Sequence, residues 1–371
     1  MTFEELIEGW EGEAVVIHHD VPSDTWMFVA LHSTRGGAAG GGTRLKVYPT
    51  PADGLADALR LSRAMTLKIA IAGGPNGGGK AVLAVPAIPE GEERRRLLHA
   101  YGDLVESLRG AFRTAPDVNT TDEDMDVVGE RTSHVYGRTE RGGGAGSTAP
   151  DTAVGVLHGI RAAVAHVFGS DDLRGRSVVV QGAGGVGGVL VRLLSELGST
   201  VSVADVSNGR AQAVAGETGA RVIDPESALS EPCDVLAPCA LGGILDADTI
   251  PTLRCRVVAG AANNQLATPE DADRLNEAGI LYAPDFVINA GGVLHVVGLE
   301  MEGWSRAQLD DALEGIGRTL TQIFRTAENE GITTELAAER LAAERLAAEH
   351  LAGVVRKGSL ATAAGHRGTI A

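Results

Sequence analysis

The chain is predicted to be an α/β protein of two domains, the second of them a doubly wound parallel sheet. Three observations carry that prediction. Apolar, strand-like runs alternate with helical patterns along most of the 371 residues. A strand-like run at Val178–Val180 leads straight into the turn Gly182-Ala183-Gly184-Gly185-Val186-Gly187 and then into a helical pattern. Hydrophobic residues make up 44% but aromatics only 4%, with 50 glycines, so packing must rest on Ala, Val and Leu joined by tight turns.

The elements follow in order. Ala14–Ile17 and Thr25–Leu31 are β-branched and apolar and read as early strands, bounded by the glycine-rich run Gly36–Gly42. Ala52–Lys68 places Leu55, Leu59 and Met65 at helical spacing and brings Lys68 to a helix end. Lys80 then stands at the start of a strand, Ala81–Val85, and a helix is expected over Glu90–Leu108. Arg141-Gly-Gly-Gly-Ala-Gly146 has little to bury and much backbone freedom, so it reads as a hinge-like linker. The first domain is therefore set at residues 1–147 and the second at 148–330. In the second, a helix over Thr152–Phe168 precedes the glycine turn, and strands are expected at Val201–Ala204, Val235–Ala237 and Val257–Ala259. The repeat Leu336-Ala-Ala-Glu-Arg340, Leu341-Ala-Ala-Glu-Arg345, Leu346-Ala-Ala-Glu-His350 favours helix. Its period of five rotates the leucines around that helix, which excludes a coiled-coil stripe.

A net charge of −17 argues against a nucleic-acid surface or binding to anionic membranes, whose phosphates would be repelled. The basic run Arg94-Arg95-Arg96 follows Glu90, Glu92 and Glu93 and reads as a solvated helix face. The N-terminus is acidic and no run of about 18 apolar residues occurs, so neither a standard export signal nor a membrane span is expected. Cys233, Cys239 and Cys255 form no C-x-x-C pair, which fits a reduced, cytoplasmic setting. His18, His19, His99 and His134 lack ligand spacing, and no metal is expected.

Two segments carry chemistry. Lys68 and Lys80 bracket a glycine-rich turn and sit among Met65, Leu67, Ile69, Ile71, Ala81, Val82 and Leu83. Their ammonium groups are expected to be partly desolvated, which lowers a lysine pKa and makes one a usable base while the other holds a carboxylate. Gly78-Gly79-Lys80-Ala81 lacks the Ser/Thr and spacing of a triphosphate loop. The second segment is Gly182 to Gly187. The first two glycines allow the turn and close approach to a pyrophosphate, the third lets helix pack on strand, and Asp205 ends the next strand, Val201–Asp205. Asp205 would accept from the ribose hydroxyls and repel a 2′-phosphate, favouring NAD over NADP. Asp117, in Thr114-Ala115-Pro116-Asp117, is a third ionisable candidate.

Together with Pro116-Asp117-Val-Asn-Thr-Thr121, Asp124-Met-Asp126, Pro238-Cys-Ala-Leu-Gly242, Gly260-Ala-Ala-Asn-Asn-Gln265 and Tyr282-Ala-Pro-Asp-Phe-Val-Ile-Asn-Ala-Gly-Gly292, these segments make the chain resemble the Glu/Leu/Phe/Val dehydrogenase family over residues 30 to 300. The resemblance implies an N-terminal α/β domain for substrate binding and dimerisation, a Rossmann NAD-binding domain, and a C-terminal helix within 331–371 that packs back on the first. It implies reversible oxidative deamination of an L-amino acid to a 2-oxo acid and ammonia by a homo-oligomer. Lys68 would bind the substrate carboxylate, Lys80 would be the base that activates water, and Asp117 would exchange protons with the amino group. Asn263 would hold substrate and nicotinamide ribose, while Thr152 and Ala240 would line the cofactor cleft beside Gly182, Ala183, Gly184, Gly185, Val186 and Gly187. The side-chain pocket would be formed by Gly40, Ala115, Val293 and Val296, all small or apolar, which implies an apolar substrate such as phenylalanine, leucine or valine. A glutamate enzyme would need a cation at the position of Gly40 and is disfavoured. A catalytically idle NAD-binding regulator would not need Lys68, Lys80 and Asp117 together.

Overall fold

Two sheets, each formed from its own stretch of chain, organise the molecule, and the cleft between them is lined by Lys68, Lys80, Asp117 and Asn263. The computed structural model describes residues 3–74 and 76–347. In the first stretch α1 (Phe3–Glu8), β1 (Ala14–Asp20), β2 (Thr25–Leu31) and β3 (Ala39–Lys46) precede α2 (Pro51–Ala72). They are followed by β4 (Gly77–Ala84), α3 (Gly91–Ser107), β5 (Phe112–Pro116) and α4 (Asp122–Val128). The sheet order is β1-β2-β4-β3-β5, with β1, β2 and β4 antiparallel in turn and β3 parallel to both β4 and β5.

Strand alternation sends side chains to two cores. Met27, Val29, Leu45, Ala81 and Leu83 pack against Leu97, Leu98, Tyr101 and Val105 of α3. On the other face Phe28, Ala30, Val82 and Ala84 pack against Leu55, Ala58 and Leu59 of α2, with Trp10. Helix α2 starts on a reciprocal cap between Thr50 and Asp53 and stops at Gly73, whose φ of 73° ends the helix in the left-handed region. It therefore runs one turn past the predicted Lys68. Two expectations are corrected here. The second half of the glycine run read as a boundary is part of β3, a strand inside the sheet, because Gly40, Gly41 and Gly42 have no side chains to display a period of two. Lys80 lies inside β4 and not at its start.

The second stretch contains α5 (Ala149–Phe168), β6 (Ser177–Gln181), α6 (Gly185–Glu196), β7 (Thr200–Ala204), α7 (Asn208–Thr218), β8 (Arg221–Val222) and β9 (Val235–Pro238). It continues with β10 (Val257–Val258), α8 (Glu270–Glu277), β11 (Leu281–Tyr282), α9 (Asp285–Ile288), α10 (Gly291–His295) and α11 (Arg306–Glu330), with a π-helical turn, Val296–Met301, after α10. All paired strands are parallel in the order β11-β10-β9-β6-β7-β8, so the winding reverses between β6 and β9. A ligand crevice opens at such a switch point.

The segment Arg141–Gly146 is not the free linker expected. The Glu300 carboxylate, from the π-helical turn, accepts from the backbone N–H of Gly137 at 3.0 Å and of Ala145 at 2.9 Å. A Cβ on Gly142 would stand 1.7 Å from Asp126 Oδ1, so the turn is also packed against α4. The basic run on α3 is not wholly solvated either: Arg94 forms a two-pronged pair with Asp124 at 2.8 and 2.5 Å. Residues 334–347 form a final helix, α12, within the repeat; His350 and the tail from 348 onward lie outside the described residues. Ala337, Ala338 and Ala342 are buried in the core of the second sheet, while Leu336 is exposed. The repeat works through its alanines, which let α12 lie close. Arg345 reaches the Ile71 carbonyl at the end of α2 and Thr319 Oγ1 of α11.

Candidate active site

Close backbone packing sets the first wall of the cleft. A Cβ on Gly78 would lie 2.1 Å from the backbone nitrogen of Thr66, so α2 rests directly on bare strand. That approach brings Lys68, near the end of α2, over the same cavity as Lys80 of β4. Lys80 is 4% exposed, and its Nζ stands 3.0 Å from Asp117 Oδ2. Asp117 follows the end of β5, and Arg44 of β3 donates to the same carboxylate oxygen at 2.9 Å. Arg44 is itself anchored by Asp57 at 2.9 Å, and Tyr48 donates to Asp57 at 2.6 Å. Sequence reasoning missed Arg44, Asp57 and Tyr48.

Burial lowers the Lys80 pKa, against the pull of Asp117 that raises it. Burial lowers Lys68 to about 8, with Asp285 opposing and Lys80 adding to the effect. Asp117 moves the other way. Burial disfavours its charge, but Lys80 and Arg44 more than offset this and hold it at about 2. The result is a fixed carboxylate beside two amines that part with a proton more readily than a surface lysine.

The second wall comes from the other sheet. Lys68 Nζ donates to Asn263 Oδ1 at 2.8 Å, and Asn289 Nδ2 donates to the same oxygen at 2.8 Å. Asn263 lies in a turn held by the buried Gln265, which donates to the carbonyls of Gly260 and Ala262. Asp285 accepts from Gln265 N–H at 2.8 Å, and its burial pushes its pKa up. Neither Asp285 nor Asn289 was singled out from the sequence.

A cavity of about 350 Å³ joins these walls and is lined by Gly40, Ala115, Lys68, Lys80, Asp117, Thr152, Val186, Asn263, Val293 and Val296. All four side-chain pocket candidates therefore line one space. A Cβ on Gly40 would meet nothing nearer than Ile69 Cδ1 at 3.5 Å, whereas one on Gly42 would stand 2.8 Å from Asp117 Cβ. The pocket has room at Gly40 and none at Gly42. One feature was not foreseen: Arg113 is the direct partner of Gly40 across β3 and β5 and lines the same cavity. With β3 hidden in glycines, this pairing had no sequence signal.

The remaining candidates lie at the switch point. Gly182 has φ of 102°, and a Cβ there would crowd Ala240 at 2.9 Å, which puts the turns after β6 and β9 side by side. A Cβ on Gly187 would stand 1.9 Å from the Gly182 carbonyl oxygen, while Gly184 faces open space. Helix α6 begins at Gly185 after Gly184 with no side-chain cap, which leaves its N–H groups for an anion. Asp205 accepts from Ala183 N–H at 2.8 Å and Ser207 N–H at 2.7 Å, and Arg210 pairs with it at 2.9 Å. Burial opposes its ionisation, but these donors outweigh it and lower the pKa. Asn289 Oδ1, at the cleft, is buried with no hydrogen-bond partner among the described residues. An open glycine turn, an uncapped helix start, a carboxylate at the end of β7 and a spare buried acceptor fit a dinucleotide. Among the described residues no group of three or more His, Cys, Asp or Glu is placed to hold a metal, and no helix is long and apolar enough to cross a membrane.

Known proteins resemble the chain over most of its length. Residues 25–134 match the family described as Glu/Leu/Phe/Val dehydrogenase, dimerisation domain, and residues 207–353 match Glutamate/Leucine/Phenylalanine/Valine dehydrogenase. The chain is 40% identical to a leucine dehydrogenase of Bacillus subtilis, over 92% of this chain and 93% of that one. It is 43% identical to a valine dehydrogenase of Streptomyces virginiae, over 88% and 92%. The crystal structure of L-tryptophan dehydrogenase from Nostoc punctiforme superposes with a TM-score of 0.77 at 41% identity, covering 92% of this chain and 97% of that one.

Proposed function

The chain belongs to the glutamate, leucine, phenylalanine and valine dehydrogenase family, and on that premise we propose that it catalyses NAD-dependent, reversible oxidative deamination of an apolar L-amino acid to its 2-oxo acid and ammonia. The carrying observation is the convergence of Lys68, Lys80 and Asp117 on one cavity that Asn263 and Asn289 close from the opposite sheet. Lys68 holds the substrate carboxylate, as its position beside Asn263 allows. Asp117 exchanges protons with the amino group, and Lys80, its amine made less basic by burial, takes a proton from the water that attacks the imino acid. Gly182 to Gly187, with Asp205, hold the dinucleotide, and Thr152, Val186 and Ala240 border it. Bound NAD supplies the acceptor for the hydride leaving Cα. Asp205 favours NAD over a 2′-phosphorylated cofactor.

Gly40, Ala115, Val293 and Val296 receive the side chain. The match to a dimerisation domain over residues 25–134 supports a homo-oligomer, and three free cysteines suit a cytoplasmic protein. The test is NADH formation at alkaline pH from L-Phe, L-Trp, L-Leu, L-Val and L-Glu, each with NAD and with NADP. Turnover of an apolar substrate with NAD is expected. Turnover of L-Glu alone would overturn the pocket reading, and silence across the panel would overturn the reaction.

A further inference from the structure

We propose that Arg113 sets the substrate class by facing an aryl side chain, and this rests on the amino acid dehydrogenase reading above. The sheet register lays the pocket out in steps. Gly42 pairs with Ala115, and the Lys80 ammonium lies 3.4 Å from where a Gly42 Cβ would be, so this rung is level with the reacting groups. The next rung on the same face is Gly40 with Arg113. Two residues of strand place it roughly 6.5 Å further on, the distance from Cα to the ring of an aromatic amino acid.

Arg113 points into that space, because its neighbours Phe112 and Thr114 are buried on the opposite face. It has no carboxylate partner among the described residues, and its guanidinium stands 5.9 Å from the Tyr136 ring centroid. Tyr136 lines the cavity as well. The absent side chain at Gly40 leaves a slot in which a Cβ would meet Ile69 Cδ1 at 3.5 Å, and Arg113, the partner of Gly40 across the sheet, lines the same cavity. A flat ring fits both, apolar against Ile69, Ala115, Val293 and Val296, and electron-rich against the cation. A carboxylate side chain fits poorly, since those carbon walls would strip its hydration with one partly buried arginine in return. A branched aliphatic chain ends short of the Gly40 rung, which lies roughly 6.5 Å beyond the reacting groups.

The experiment compares wild type with Arg113→Met and Arg113→Lys on L-Phe, L-Trp, L-Leu and L-Glu, with NADH binding measured by fluorescence in each. Arg113→Met is expected to lower kcat/KM for L-Phe and L-Trp roughly tenfold, the size of one partly desolvated cation–π contact, chiefly through KM. L-Leu turnover and NADH binding should stay within about twofold of wild type, with Arg113→Lys between the two. An aryl-to-leucine ratio unchanged in Arg113→Met overturns the proposal, and so does a loss confined to L-Glu, which would make Arg113 a carboxylate receptor. Wild-type silence on all four substrates would instead sink the dehydrogenase reading, and this inference with it.

Discussion

Lys68 has its pKa lowered from 10.5 to about 8 by burial, so the protein carries a destabilising charge at neutral pH. Between these two values the unfolded chain binds a proton at this site that the folded protein does not. Stability therefore rises with pH across that window, and below pH 8 the full penalty is present. At about 1.4 kcal/mol per pH unit, the interval amounts to about 3 kcal/mol. Lys68→Met removes this contribution without orphaning Asn263, whose Oδ1 still accepts from Asn289. The assay is urea unfolding of both proteins at about pH 7.5 and about pH 10.5, where the wild type should gain about 3 kcal/mol more than the variant. Comparing the two gains cancels the titrating groups that do not interact with Lys68; Asp285 and Lys80, which do, are part of the difference. Coincident gains, within about 1 kcal/mol, would refute a desolvated Lys68 ammonium. The variant should also lose kcat/KM on amino acids while still binding NADH, because the ammonium proposed to hold the carboxylate is gone.

Two further outcomes follow from the same cleft. Asp117→Asn leaves the buried Lys80 without its counter-charge, so it should cost about 3 kcal/mol in denaturant and at least about 100-fold in kcat, with NADH affinity kept; kcat within tenfold of wild type would remove Asp117 from the chemistry. Gly42→Ala drives a Cβ to 2.8 Å from Asp117 Cβ and the Pro116 carbonyl oxygen and should cost about 1–3 kcal/mol, whereas Gly40→Ala meets nothing nearer than 3.5 Å and should unfold at nearly the wild-type temperature; equal costs would contradict the β3 register.

The parts legible in the sequence were those with local signatures. Gly182 to Gly187 and Asp205 announce themselves by spacing, and Lys68 and Lys80 stand out as charges in apolar surroundings. Arg44 and Asp117 lie 73 positions apart, and Glu300 reaches Gly137 across 163, so neither pairing leaves a trace in composition or period. Arg113 was hidden for a related reason. Its significance depends on which strand lies beside β5, and that strand, β3, contains three consecutive glycines that erase the alternation by which strands are recognised. Arg141–Gly146 misled in the opposite direction: glycine content implied freedom, but the Glu300 carboxylate spends it on two backbone donors.

The seating of α2 on Gly78 bears on heat tolerance. A helix held off a sheet by side chains shifts when those side chains change rotamer on warming. Here the main chain of Thr66 lies directly over Gly78, with no side chain of the strand between them. The backbone positions that carry Lys68 and Lys80 are then held by this direct contact, and they should stay in register up to the temperature at which the first sheet itself melts. Inactivation by heat would accordingly be abrupt, with little decline in turnover before unfolding begins.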